Sequence, residues 1–281
     1  MDVLQDGHLM KQPDLLITSA QNPKLKEAIK LKDRKDREQS GLFLIEGYRE
    51  LLRAVQGRVA FESLFFCPKL FLGSNETVLI KSITERGAKL YECSESVFAK
   101  LSYRDRPDGL IAVAQQMRKT LGSLQHELEK KTDPLLLIAE AIEKPGNLGT
   151  ILRSADAVQV DGVIVCDRCT DIYNPNVVRA STGTLFTIPV VEAHSEEIIQ
   201  WLKEKNIKIA AATPSAKQEF TQSDLTGPLA IVVGTEQLGL SKQWLEAASL
   251  QMRIPMLGVA DSLNVATATT LLLYEALRQR R

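Results

Sequence analysis

The sequence has few cysteines and histidines, no net charge and no long apolar run. Each of these shortages removes a class of protein. Four cysteines in 281 residues do not make a disulfide framework. Cys166 and Cys169 have the spacing of half a zinc site or of a redox pair. Cys67 and Cys93 supply no second close pair, however, and His8, His126 and His194 are scattered, so no metal is expected. Cys166 ends the run GVIVC, where it reads as a small buried apolar residue. No apolar stretch approaches the roughly 20 residues of a membrane span. The N-terminus, MDVLQDGHLMKQPD, is polar and mixed in charge, unlike a secretory signal. A cytoplasmic protein with no membrane partner is therefore expected. Internal repeats and low-complexity tracts are also missing.

Thirty-five basic residues balance 35 acidic ones, but their placement is uneven. From Lys24 to Arg37, KLKEAIKLKDRKDR holds seven Lys or Arg against three Asp or Glu. Lys24, Lys26, Lys30, Lys32, Arg34, Lys35 and Arg37 are thus candidate phosphate contacts for a nucleic acid. The competing reading is a solvated helix face with i,i+4 ion pairs.

Hydrophobic periodicity divides the chain. Residues 1–19 read as a loose N-terminal segment. Residues 20–116 alternate helices and strands as a small α/β domain: a basic helix to Gly41, the strand LFLIEG, the helix YRELLRAVQGR, then FESLFFC, ETVLIKSITERG, AKLYEC, SESVFAKLS and GLIAVAQQ. Residues 117–133 are polar and read as a linker, partly helical. From residue 134, near-continuous apolar strands (PLLLIAE, GVIVC, LFTIPVV, IKIAAAT, LAIVVG, QMRIP) alternate with helices. That pattern belongs to a parallel sheet covered on both faces.

In EKPGNLGTILRSADA, Pro145 and Gly146 are expected to break the chain between a strand and a helix, leaving Asn147 in the turn and Arg153 inside the helix. A dinucleotide-binding fold would want G-x-G-x-x-G here and an acid near Asp167. The G-x-G start and the third glycine are missing. The C-terminal end is more specific. IVVGTEQLGLS places a Gly-Thr-Glu-Gln-Leu-Gly turn after an apolar strand, and RIPMLGVADSLNVATATTLLLYEALRQR places Ile-Pro-Met after another, with Ser262 to Val265 opening the last helix.

Together with NLGTILR, these blocks resemble the three signature motifs of the SpoU (TrmH) branch of the SPOUT RNA methyltransferases. RASTGTLFTIPV, from Arg179, is similar to the segment usually found between the first two. The likeness covers residues 134–281, and FLIEGYRELLRAV in the N-terminal half is similar to the family's ribosomal-protein-like substrate-binding domain. The resemblance implies an α/β fold with a C-terminal parallel-sheet SPOUT domain tied in a deep trefoil knot. It implies S-adenosylmethionine as cofactor, ribosomal RNA as substrate, a ribose 2′-hydroxyl as methyl acceptor, and a homodimer. Arg153 is then the implied catalytic residue, close to the target ribose and its phosphate, with Asn147, Glu236, Ser262 and Asn264 as polar partners. Thr213, Gly234, Glu236, Ile254, Met256, Ser262, Leu263 and Asn264 are the implied cofactor contacts. Transfer RNA as substrate, and a non-catalytic RNA-binding assembly protein with the same fold, remain open at this stage.

Overall fold

The computed structural model describes residues 11–167, 170–235 and 237–281. In chain order the elements are β1 (Leu15–Ile17), α1 (Pro23–Lys30), α2 (Arg34–Ser40), β2 (Leu42–Glu46), α3 (Tyr48–Gln56), β3 (Phe61–Phe66), α4 (Glu76–Thr84), β4 (Lys89–Cys93), α5 (Glu95–Leu101) and β5 (Leu110–Gln115). They continue with α6 (Leu121–Leu128), β6 (Leu135–Glu140), α7 (Pro145–Ala157), β7 (Gly162–Cys166), α8 (Pro175–Ala180), β8 (Val190–Ala193), α9 (Ser195–Glu204) and β9 (Lys208–Ala212). The last are β10 (Gln218–Glu219), β11 (Leu229–Val233), α10 (Lys242–Ala247), β12 (Leu250–Arg253) and α11 (Val265–Gln279). The described residues fold as two units, one from within 11–117 and 173–187, the other from within 118–172 and 188–281.

The first unit is a mixed sheet in the order β1-β4-β3-β5-β2. Of the segment 1–19 expected to be loose, residues 1–10 lie outside the described residues, and residues 11–19 are less loose than expected. β1 pairs in parallel with β4, Asp14 exchanges hydrogen bonds with Leu90, and Ile17 is buried. Three residues are too few to show a period of two. The expected single basic helix is two, because Asp33 takes an extended conformation at the start of α2. Gly41 ends α2 in the left-handed region that glycine adopts without strain. Cys67 and Cys93 lie in this core, and burial pushes the Cys93 thiol up to about 12. Both sit there as apolar filler.

Segment 173–187 belongs to this unit and not to the C-terminal one. The ring of Phe43 lies 4.6 Å from that of Tyr173, and Arg53 donates to Thr182 Oγ1 at 2.6 Å. Part of the expected strand LFTIPVV is a 3₁₀ turn, Thr184–Phe186, and β8 begins only after Pro189. The segment also carries α8, which lacks a periodic apolar stripe long enough to signal it.

The second unit is built on a sheet in the order β10-β12-β9-β11-β6-β7-β8, parallel throughout. Leu136 and Ile138 of β6, Ile164 of β7 and Val232 of β11 cluster with Trp201 of α9 and Trp244 of α10. The alternate residues, Leu137, Val163 and Ile231, are buried as well. This two-sided burial explains why the strands read as continuous apolar runs. The polar stretch 117–133 is not a free linker. It contains α6, opened by a capping box between Thr120 and Ser123, and Leu124 and Leu128 are part of this unit's core. No helix among the described residues is long and apolar enough to cross a membrane.

Candidate active site

β6 runs into α7 through a four-residue turn, residues 141–144. Pro145 does not break the chain; it occupies the first position of the helix, where its missing N–H is no loss. Asn147 therefore lies in the first helical turn. Leu148, Ile151, Leu152 and Ala155 form the buried stripe of α7, while Thr150, Arg153 and Ala157 line the exposed side. Arg153 makes no hydrogen bond or ion pair among the described residues, so its guanidinium is available to a ligand.

α11 packs against α7, joined by a hydrogen bond of 2.7 Å between Ser154 Oγ and Thr270 Oγ1. At the head of the pair, Asn264 Nδ2 donates to Asn147 Oδ1 at 3.2 Å. Asn264 also caps α11, its Oδ1 accepting from Ala266 N at 3.0 Å. The amide at the start of the first motif thus meets the amide of the third. Ser262 does not cap the helix.

A cavity of about 640 Å³ opens beyond the C-terminal ends of β9, β11 and β12. This is the edge where parallel α/β sheets bind ligands, and the volume is that of a small-molecule site. Thr213, Gly234, Ile254, Met256, Ser262 and Leu263, all expected cofactor contacts, are among its lining residues. Gly234 is required by packing. A Cβ there would lie 2.6 Å from the Gly239 carbonyl carbon and 2.8 Å from Leu240 N, against immovable backbone. Asn264 and Arg153 are not lining residues. Glu236 lies outside the described residues.

The sequence reading missed Glu140, the last residue of β6. Its carboxylate is 4% exposed, and Oε2 accepts from Ser241 N at 2.9 Å, at the start of α10. It thereby holds the end of the loop that follows Gly234. The visible signal was a carboxylate ending an otherwise apolar strand, which is costly to bury unless it has a partner.

The basic run is less uniform than its composition. Arg37 is 1% exposed, and its guanidinium donates to the carbonyls of Leu31 and Lys32 at 2.9 and 2.8 Å. It is a structural residue that RNA cannot reach. Lys32 donates to the carbonyls of Lys100 and Ser102 at 3.0 and 2.9 Å, and burial lowers its pKa. Lys24 pairs with Glu27 and Arg34 with Glu38. Lys26, Lys30 and Lys35 are exposed, with no side-chain partner among the described residues. Changing these three to glutamine is expected to flatten the salt dependence of RNA binding by about one unit of log–log slope per lost phosphate contact. An unchanged slope in a salt titration would leave them as a solvated face.

Fold and cavity together define an α/β protein of the SPOUT class, with a cofactor-sized site at the strand ends of a parallel sheet. The chain belongs to the SpoU rRNA methylase family, which matches residues 134–274. Residues 22–112 match the MRM3-like substrate binding domain. The chain is 31% identical over 261 residues to the 23S rRNA (guanosine(2553)-2′-O)-methyltransferase RlmP of Bacillus subtilis, covering 92% of this chain and 97% of that protein. Among solved structures, an RNA 2′-O ribose methyltransferase superposes with a TM-score of 0.80 at 44% identity, over 94% of this chain and 98% of the other. The AdoMet-bound rRNA methyltransferase from Sinorhizobium meliloti superposes with a TM-score of 0.85 at 28% identity, with the same coverage.

Proposed function

We propose that this protein transfers a methyl group from S-adenosylmethionine to a ribose 2′-hydroxyl of RNA, with large-subunit ribosomal RNA as the substrate class. The observation that carries this reading is the meeting of the three motifs. The second and third build the cavity, and the Asn147–Asn264 hydrogen bond ties the third to the helix that presents Arg153. When bound, S-adenosylmethionine supplies a methyl group on a cationic sulfonium, open to in-line displacement. Ile254, Met256 and Leu263 offer apolar surface to a flat adenine, and the backbone after Gly234 can approach its edge closely. Thr213 and Ser262 contribute hydroxyls at the rim, and Glu236 completes the second motif.

A guanidinium stays protonated at neutral pH, since its pKa lies above about 12, so Arg153 serves as a fixed charge and not as a free base. It binds the phosphate next to the target ribose and stabilises the alkoxide that develops on the 2′-oxygen. Residues 20–116 form the RNA-binding domain in this reading. The C-terminal segment threads the knot of its family, and the return of α11 from β12, at the far side of β9 and β11, onto α7 beside β6 supports that path.

The working form is a homodimer. Leu271 and Tyr274 lie exposed on α11, and Leu257 and Val259 are fully exposed on the loop before it. Apolar side chains left exposed on α11 and on the loop before it are what a partner's surface would cover. Light scattering at micromolar concentration should give twice the chain mass, and a monomer there would overturn the dimer. The activity itself is tested by mapping ribose methylation across ribosomal and transfer RNAs of cells with and without the protein. One large-subunit ribosomal RNA site should lose its methyl group. A loss confined to transfer RNA would move the substrate class, and no loss anywhere would count against the activity.

A further inference from the structure

The loop between α5 and β5 carries more buried charge than a connection needs. Arg104 spans it, donating to Glu46 O at 2.9 Å and pairing with Glu50 at 2.8 Å. Asp108 accepts from Tyr48 N at 2.8 Å and lies 3.5 Å from Arg104. Glu46 accepts from Ser102 Oγ at 2.5 Å and from Tyr103 N at 2.7 Å. Arg104 Nε and Asp108 Oδ1 are buried with no hydrogen-bond partner among the described residues. Gly47, at φ 112°, leaves the space Arg104 crosses, since a Cβ there would lie 2.7 Å from the guanidinium carbon. Burying charges costs stability even when they are paired. What this network holds in place is Tyr103.

Tyr103 is an aromatic residue left 44% exposed. Its hydroxyl accepts from Asn176 Nδ2 at 3.4 Å, and the anchored Lys32 ammonium lies 5.9 Å from the ring centroid. Tyr103 and Arg179 line one small pit together with Glu46 and Arg104, and Arg179 is exposed with no partner for its guanidinium among the described residues. Lys100 and Arg106 are exposed nearby in sequence against the single exposed acid Asp105. A residue whose backbone is already fixed loses little backbone entropy when its ring takes a ligand, and the cations around it favour an anionic one.

We propose that Tyr103 and Arg179 form a platform for one unpaired nucleotide of the RNA substrate, the base stacked on the ring and the adjoining phosphate on the guanidinium. The inference rests on the RNA reading above and names a contact outside both the basic run and the cofactor cavity. Stacking on an aromatic side chain tolerates any base, so the platform would sense an unpaired nucleotide and not a sequence.

The test uses the full-length protein, with fluorescence anisotropy of a single-stranded oligoribonucleotide and of a duplex of equal length. Tyr103→Ala should weaken single-strand binding by about five- to a hundredfold, the range of one lost stacking contact, and change duplex binding less than twofold. Tyr103→Phe, which keeps the ring and loses the Asn176 bond, should bind like the wild type. Arg179→Gln should reduce the salt slope for the single strand by about one unit. The proposal is overturned if Tyr103→Ala binds the single strand as tightly as wild type, if duplex binding falls equally, or if Tyr103→Phe falls as far as Tyr103→Ala. Wild-type protein that binds neither RNA would overturn the RNA reading as well, whereas undiminished binding by every variant overturns the platform alone.

Discussion

Arg153→Ala is expected to lower the rate of methyl transfer by at least about a hundredfold, or roughly 2.7 kcal/mol, while leaving S-adenosylmethionine affinity nearly intact. The structure separates the two effects. Arg153 lies on the exposed side of α7 and is not among the residues that line the cavity, so removing it takes nothing from the cofactor. Nor does the fold depend on it, because its side chain has no partner among the described residues. The loss should therefore fall on the step in which charge develops at the ribose. Arg153→Lys should restore little, since a point charge cannot reproduce the planar fork that grips a phosphate. Single-turnover rates measured beside calorimetric affinities give the check. Near wild-type transfer by Arg153→Ala would remove the mechanism while leaving family membership untouched.

Gly234→Ala should act in the opposite way, through the cofactor. The added methyl group would press on the backbone of Gly239 and Leu240, and backbone cannot rotate aside as a side chain can. The loop from 234 to 240 must open, which distorts one wall of the cavity. S-adenosylmethionine affinity should fall more than tenfold, equivalent to about 1.4 kcal/mol. Gly258→Ala supplies the control. No atom lies within 4 Å of a Cβ there and its φ is not positive, so affinity should hardly change. Gly239→Ala falls between, because its space is open but its φ of 67° penalises any side chain. Equal affinity of the Gly234 and Gly258 variants in calorimetry would show that the 234–240 loop does not shape the site.

Much of this architecture could be read in the sequence, because its signals are local. Continuous apolar runs marked β6, β7, β9 and β11, since a parallel strand buried on both faces is apolar along nearly all of its length. The order of the motifs marked the cavity: Thr213, Gly234 and Ile254 directly follow β9, β11 and β12, and Met256, Ser262 and Leu263 lie on the loop that leads from β12 to α11. Composition alone could not sort the basic run, where equal charges took unequal fates. Arg37 turned inward to satisfy two carbonyls at the end of α1, while Lys26 and Lys30 stayed in water. The same limit hid Glu140, whose worth depends on Ser241, 101 residues away. It also misassigned segment 173–187, whose contacts with Phe43 and Arg53 reach across more than a hundred residues. Residue type and spacing by themselves determined the central strands of the parallel sheet and the positions of six of the residues that line the cavity. Only the tertiary structure decided which buried charges found partners and which cations remain available to RNA, because a hydrogen bond between distant residues leaves no periodic mark in the chain.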